Sequence, residues 1–491
     1  MLKKRTVAGF LVGVFVGLTV ATLATVSAGA TDDYQDELIR QFFKPVVWLV
    51  TQIEHRYVTT VDLNDLAIGA YDGILSRLDK YSAYIPADRK EEFESDTKGE
   101  FGGLGVTIRY LPVKKAVLID QAIPGTPAFD AGILPGDMIV EALEEATGKK
   151  YETSEFKDVH DAVRILRGEP GSKVTLTVVH EKGNVVQDIT ITRAIIRVPG
   201  VRAVHMIDPA IGYLYVPYFH EQTVSDLKLA IDDLRSQGAK GIIIDLRFDP
   251  GGLLKAAEQF ADLFLDGSVI VSTKGLHESE QVIHAHSGQD YPDLSVVVLV
   301  NRFSASASEI VAAALGENGR ATVVGEPTYG KASVQTLMDD PNTGGAVKLT
   351  TAHYFTPLNN MIEGKGVQPS PGDTIKLSDE DLLRLRTELS KLTAYPPPLP
   401  GQAQEAAEEG GPQPATPENA QPAAPAEGQA GSTPETKAAA KPEKPFDDVQ
   451  LDRAVQVLTQ ELAARTAPAA AGQDAASAQP MPAHPAAAPQ G

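Results

Sequence analysis

A chain of 491 residues, 43% hydrophobic and 22% charged, is long enough for two or three domains with cores of their own. Its net charge of −21 argues against sequence-independent nucleic-acid binding, which needs a surplus of lysine and arginine to displace counterions. The absence of cysteine excludes thiol nucleophiles, disulfides, thiolate zinc sites and iron–sulfur clusters together. Lys3, Lys4 and Arg5 precede a charge-free stretch from Thr6 to Thr31, which ends in Ala28-Gly29-Ala30 ahead of Asp32 and Asp33. Basic start, apolar middle and small-x-small exit are the parts of a secretory signal, residues 1–30, cleaved after Ala30. The span also exceeds the roughly 20 residues that cross a bilayer, so an uncleaved anchor fits as well. Either way the body of the protein is expected in the periplasm or another extracytoplasmic space, tethered to the inner membrane if the anchor is kept.

Residues 34–97 read as an N-terminal helical segment. Leu38, Phe42, Val46, Leu49 and Ile53 fall three or four apart, as do Leu66, Ala70, Ile74 and Leu78. Pro45 is expected to kink the first of these helices. Two amphipathic helices without a core of their own must pack on the remainder of the chain or on a second copy, which makes a homodimer through them an expectation.

From residue 98 to 197 the texture changes to short β-rich runs punctuated by glycine and proline. Gly102-Gly103-Leu104-Gly105 leads into Val106-Thr107-Ile108. Val117 to Ile119 and the turn Pro135-Gly136-Asp137 follow. A helix is predicted from Ser154 as N-cap through Leu166, and Lys173 to Val179 alternates as a strand. This order, with Gly-Ile-x-Pro-Gly-Asp and Leu-Arg-Gly at their spacing, resembles a PDZ domain of the kind found in bacterial proteases. In such a domain, successive N–H groups of a glycine turn hold a terminal carboxylate while the adjoining strand edge pairs with an extended peptide. The resemblance therefore assigns Gly102, Gly103, Leu104, Gly105 and Val106 to peptide binding.

Residues 198–392 carry an α/β pattern, so the fold class is mixed α/β and multidomain. Ile211 to Val216 is a strand, Thr223 to Gln237 a helix, and Gly241-Ile242-Ile243-Ile244-Asp245-Leu246 has the unbroken apolar character of a fully buried strand. The turn Arg247-Phe248-Asp249-Pro250-Gly251-Gly252 leads to a helix over Leu253–Leu265, and Val296 to Val300 feeds a second turn. Functional loops of α/β folds lie at such strand ends. Beyond about Leu392 the composition collapses into Pro, Ala, Gly, Gln and Glu, so residues 393–445 read as a disordered linker. Leu451, Val455, Leu458 and Leu462 mark one helix, within residues 446–466, expected to dock elsewhere. Residues 467–491 form a loose tail.

The chemistry gathers between Asn301 and Gln335. Ser304-Ala305-Ser306-Ala307-Ser308-Glu309 opens a helix, and Tyr329-Gly330-Lys331 follows a short β segment over Ala321–Val324. A serine hydroxyl is a poor nucleophile until a neighbouring base takes its proton. Lysine does this only when neutral, and its free pKa is near about 10.4. Desolvation lowers a buried lysine by about 3–5 units, into working range. By residue type alone, the serines equally fit an ordinary helix cap and the lysine a solvated side chain.

The SASASE run, with Gly330-Lys331, Gln335 and the upstream Asp-Leu-Arg-x-x-Pro-Gly-Gly, resembles the carboxyl-terminal processing (tail-specific) serine proteases, over nearly all of Leu38 to Pro369. The resemblance implies an endopeptidase, with Ser306 as nucleophile, Lys331 as general base and Gln335 holding the lysine. By the same resemblance, the N–H groups of Gly252 and Ala307 would form the oxyanion hole. No metal or cofactor is implied. The partners would be protein substrates with apolar C-termini and an adaptor protein. Arg167, in the Leu-Arg-Gly, would couple the PDZ domain to the site. Phe248-Asp249 stands where the family commonly has two asparagines, and Ala332 where a second glycine is common. Gln335 lies four residues beyond Lys331, about 13 Å along a straight strand, so contact between them requires a bend.

The competing class is a non-catalytic PDZ scaffold that keeps the protease fold. A penicillin-binding-type enzyme is more distant: Ser225-Asp226-Leu227-Lys228 fits Ser-x-x-Lys but lies in an amphipathic helix, with no Lys-Thr-Gly partner. His277-Glu278 is followed by Gln281 where a zinc-binding HExxH needs histidine, and His284 and His286 read as surface residues of a strand.

Overall fold

The computed structural model describes residues 37–395, apart from 38, 182–184 and 393, and residues 446–466. The expected signal or anchor, most of the linker and the tail lie outside the described residues. Among the described residues no helix is long and apolar enough to cross a membrane. The chain divides into two compact units, drawn from residues 1–89 with 335–350 and from residues 90–334 with 351–491.

In the first unit, helices span Lys44–Arg56 and Leu63–Leu75. Pro45 sits in the first turn of the former, behind a π-helical turn over Ile39–Phe43, and does not kink its middle. A first-turn proline costs little because its missing N–H would have had no intrahelical acceptor. None of the residues of Lys44–Arg56 is buried, and Val47 and Trp48 are 63% and 64% exposed. Asp62 caps the second helix by accepting from Asn64 N (2.8 Å). The strand Ala83–Ile85 pairs antiparallel with Ala346–Lys348, and Tyr84 stacks on Tyr71 at 4.5 Å.

The second unit begins with the glycine-punctuated region. Strands β1 (Glu100–Gly103), β2 (Val106–Leu111), β3 (Ala116–Ala122) and β4 (Met138–Glu144) precede helix α1 (Val159–Leu166). β5 (Lys173–Val179), β6 (Val186–Thr192) and β7 (Ala194–Arg197) follow it. The antiparallel sheet runs β2-β3-β4-β5-β6, while β1 pairs with β7. Period-2 alternation on β5 sends Val174, Leu176 and Val178 into a core that α1 closes with Ala162, Ile165 and Leu166. The cap of α1 differs from expectation. Ser154 lies in a separate 3₁₀ turn, and Asp158 caps the helix by accepting from His160 N (2.9 Å). A carboxylate one residue before the helix outcompetes a serine five residues away.

The larger, parallel-sheet half of the unit is built on β8 (Val201–Asp208), β9 (Ile211–Tyr215), β10 (Gly241–Asp245), β11 (Ser295–Val300) and β12 (Thr322–Gly325). Its helices are α2 (Thr223–Ser236), α3 (Leu254–Asp262), α4 (Ala307–Glu317), α5 (Asp379–Ser390) and α6 (Val449–Thr466). The sheet order is β12-β11-β10-β9-β8, parallel except for β8. Ile242 and Ile244 join the cluster of Leu227, Phe260 and Val311 from α2, α3 and α4. Ile243, Val297 and Leu299 point the other way, into the cluster of Leu385, Leu389 and Leu458 from α5 and α6. Both faces are therefore covered, which is why β10 and β11 carry apolar residues without alternation.

Candidate active site

Two turns meet at the carboxyl ends of β10 and β11, residues 246–253 and 301–306, and hydrogen bonds zip them together. Ser304 Oγ donates to Leu246 O (2.8 Å), and Phe248 N donates to Asn301 Oδ1 (3.1 Å). Asp249 O accepts from Ala305 N (3.0 Å) and from Ser308 Oγ (3.0 Å). Each turn also holds a non-glycine residue in the left-handed region, Phe248 at φ 62° and Ser306 at φ 56°. Such conformations cost on the order of 1–3 kcal/mol and concentrate at functional sites.

These bonds separate the three serines. Ser304 and Ser308 are fully buried and their hydroxyls are engaged with the backbone of the facing turn. Ser306 alone of the three is partly exposed, at the mouth of α4 in its strained conformation.

Glu309, the N3 residue of α4, is the hub. Its Oε2 accepts from Ser306 N and Lys331 N, each at 2.8 Å, so at most two hydrogen-bond lengths separate those backbone nitrogens. Its Oε1 accepts from Thr328 Oγ1 (2.5 Å) and Gly330 N (2.7 Å). Burial pushes the Glu309 pKa up, and these four donors pull it back toward the ionised form that accepts them. The Tyr354 hydroxyl brackets the same pair from the carbonyl side, 3.2 Å from Ser306 O and hydrogen-bonded to Lys331 O. Gly330 is at φ 84°, and a Cβ there would stand 2.8 Å from Gly366 N, so the lysine loop needs glycine before Lys331. Lys331 is itself half-buried.

Ala307 is the first residue of α4, where an N–H has no intrahelical acceptor. Gly252 bridges to Phe219 at φ 146°, and a Cβ would lie 2.0 Å from Phe219 O, so only glycine fits.

Asp249 is fully buried. Its Oδ1 accepts from Gly251 N (2.8 Å), and its Oδ2 has no partner among the described residues. Burial raises its pKa well above the usual carboxylate range, outweighing the hydrogen bonds from Gly251 and Ser308, and so favours the protonated form. With the folded pKa raised, the stability that the retained proton contributes is full below the unfolded pKa. It is lost progressively as pH rises toward the folded value. Asp249→Asn is therefore expected to gain stability relative to wild type as pH rises above the unfolded carboxylate pKa of about 4, by up to about 1.4 kcal/mol per pH unit until the folded pKa is reached. Denaturant melts at several pH values measure this. A pH-independent difference would mean that Asp249 is charged in the fold.

The other expected site residues engage partners of their own. Gln335 belongs to the first unit, where its Nε2 donates to Thr350 Oγ1 (3.3 Å). Gly102 and Gly103 close β1, leaving Leu104 and Gly105 as the turn before Val106 opens β2. Leu104 O and Gly105 O are taken up by Ala128 N and Ile123 N, each at 2.9 Å, while β2 stands at the end of its sheet. Arg167 reaches Asp96 (2.8 Å) and stacks on Phe101 (4.2 Å), tying the C-terminus of α1 to β1 and to the helix Ala87–Lys98. On α2, Ser225 Oγ bonds Gln222 O and Lys228 pairs with Asp290 (2.8 Å), so the Ser-x-x-Lys match is structural. His286 pairs with Asp262 (2.7 Å) at the surface. Glu309, Thr328 and Tyr354 were missed. Glu309 carried a legible signal, since a glutamate three residues after a serine cap reaches back to it. Tyr354 carried none.

The family model described as "Peptidase family S41" matches residues 210–370, which hold both turns, Glu309 and Lys331. The carboxy-terminal-processing protease of Bartonella bacilliformis is 36% identical over 370 residues, 74% of this chain and 82% of the relative. The carboxy-terminal processing protease CtpA of Bacillus subtilis is 36% identical over 321 residues, 65% of this chain and 66% of the relative. Among solved structures, a photosystem II D1 C-terminal processing protease aligns with 26% identity and a TM-score of 0.40, over 67% of this chain and 86% of that one. With one relative matched over most of its length at this identity, the chain belongs to the carboxy-terminal-processing proteases of peptidase family S41 and is a serine-type peptidase.

Proposed function

We propose that this peptidase is exported, captures apolar C-terminal tails of protein substrates on its PDZ domain and cuts internal peptide bonds with a Ser306–Lys331 dyad. The observation that carries the dyad is the shared Glu309 oxygen, which holds the backbones of both residues while the flanking serines are occupied. Neutral Lys331 Nζ takes the Ser306 proton as Oγ attacks the scissile carbonyl carbon. The N–H groups of Gly252 and Ala307 receive the negative oxygen of the tetrahedral intermediate. The lysine proton passes to the leaving amine as the C–N bond breaks, leaving an acyl-enzyme on Ser306. Water then repeats the sequence and frees the acid. Gln335 orients Lys331 in this reading.

Tail capture is supported by the Leu104-Gly105 turn entering β2, an edge strand on which an extended peptide can pair. Export rests on the basic-apolar-small start of the chain. The uncovered apolar residues of Lys44–Arg56 support a homodimer through the N-terminal helices.

The test is digestion of a folded substrate with an apolar C-terminal tail, beside the same substrate ending in two aspartates, with cut sites read by mass spectrometry. Internal cuts confined to the apolar-tailed substrate, and a fluorophosphonate adduct mapped to Ser306, are expected. An adduct on another serine, or equal cutting of both substrates, would overturn the dyad or the tail-capture reading respectively. Tails bound without any cutting would favour a scaffold.

A further inference from the structure

The S41 match ends at residue 370, yet α6, far beyond it, reaches the root of the turn that carries Gly252. Arg247 is the second residue after β10 and is 1% exposed. Its Nε donates to Asp245 (3.0 Å) and Nη2 to Asp245 Oδ2 (2.6 Å). Nη1 and Nη2 form a two-pronged pair with Asp448 (both 2.8 Å), and Nη1 also donates to Gln450 Oε1 (3.2 Å). All five N–H donors of a guanidinium are thereby used, three of them on residues at the start of α6. Asp245 is held in turn by the Tyr213 hydroxyl (2.8 Å), and Gln450 Nε2 donates to Ile375 O (2.7 Å).

The residues on either side of Arg247 are the ones zipped to the nucleophile turn: Leu246 O accepts from Ser304 Oγ and Phe248 N donates to Asn301. The guanidinium thus sits where the oxyanion turn leaves the sheet. Its departure angle is set by a cation that α6 helps to hold. Burial pulls the Arg247 pKa down, and the two carboxylates more than offset this, so the cation persists.

We infer that Asp448, with Gln450, is a positioning residue for catalysis: the C-terminal helix holds Arg247 and so aims the Gly252 turn at the Ser306 acyl group. This rests on the dyad reading above. Without Asp448, two donors of a buried cation lose their acceptors, and the turn relaxes while the rest of α6 stays docked through Ala454, Val457 and Leu458. A loosened turn misplaces the oxyanion donor without touching the PDZ groove, so the loss should fall on kcat and not on KM.

The experiment uses the full-length chain and compares wild type with Asp448→Ala, Asp448→Glu and Leu458→Ala, at a temperature well below every Tm. It reads kcat, KM and the rate of fluorophosphonate labelling. Asp448→Ala is expected to lose about tenfold to a hundredfold in kcat and in labelling rate with KM within about twofold of wild type. Asp448→Glu should recover part of the loss. Leu458→Ala, which thins the packing of the same helix, should lower Tm and keep kcat. Should Asp448→Ala fail to fold, Asp448→Asn is read by the same criteria. Wild-type kcat and labelling rate in the folded Asp448 variant, even with a lowered Tm, would make the contact merely structural and overturn the inference. A wild type that neither cuts nor labels would remove the dyad reading, and this inference with it.

Discussion

Ser306→Ala and Lys331→Ala are each expected to abolish cleavage of an apolar-tailed substrate, by roughly 10⁴–10⁶-fold in kcat, with the protein still folded. Ser306→Ala removes only the hydroxyl. The Ser306 N–H keeps its bond to Glu309, and the buried neighbours Ser304 and Ser308 still zip the two turns. Lys331→Ala likewise keeps the Lys331 N–H on Glu309 and the carbonyl on Tyr354. Fold and tail binding should therefore survive in both, as circular dichroism and tail-peptide binding would show. Because a nucleophile and its base act as one unit, the double variant should be no worse than either single one. Losses that multiply, or turnover at wild-type level in either variant, would rule out the dyad.

Glu309→Gln is the second large effect, and it should strike activity and stability together. The carboxylate accepts from four donors, two on each oxygen. A glutamine amide has one oxygen and one NH₂, so whichever way it turns, two donors face another donor. Losing two buried bonds to a charged acceptor costs roughly 3–6 kcal/mol, at about 1.5–3 kcal/mol each. The flip that spares Thr328 and Gly330 releases the N–H groups of Ser306 and Lys331, and the strained Ser306 conformation then has little to hold it. A fall of about 10²–10³-fold in kcat/KM is expected in the fraction that remains folded. Thermal unfolding and steady-state kinetics on the same preparation check both parts. An unchanged Tm would mean that Glu309 does not hold the two loops.

Much of the site was legible because its chemistry is carried by residue type at short range. The glycine turn after β10, the serine run after β11 and the lysine behind Gly330 are contiguous motifs, and each one proved to be a strand-end turn or helix mouth. The misplaced cap of α1 shows the limit of such reading. Ser154 and Asp158 are both good caps, and only the packing of Ala162, Ile165 and Leu166 decides where the helix begins. Choosing among Ser304, Ser306 and Ser308 by physical means was also out of reach, because the bonds that occupy two of them come from the turn at residues 246–249.

The sequence by itself determined the α/β character of the core and the two candidate turns, while its resemblance to a known family singled out Ser306 and Lys331. The core and the turns depend on local pattern: a buried strand reads as an apolar run, and a functional turn reads as glycine and hydroxyl residues at its end. Only the tertiary structure decided what holds the turn at residues 301–306 and the loop around Lys331 in place. Glu309 and Tyr354 join Ser306 to Lys331 across 22 to 48 positions, and Asp448 joins Arg247 across 201. No periodicity spans such separations. They arise because both faces of the central sheet need covering, and the helix that covers the second face brings Asp448 to a buried arginine that needs a further anion.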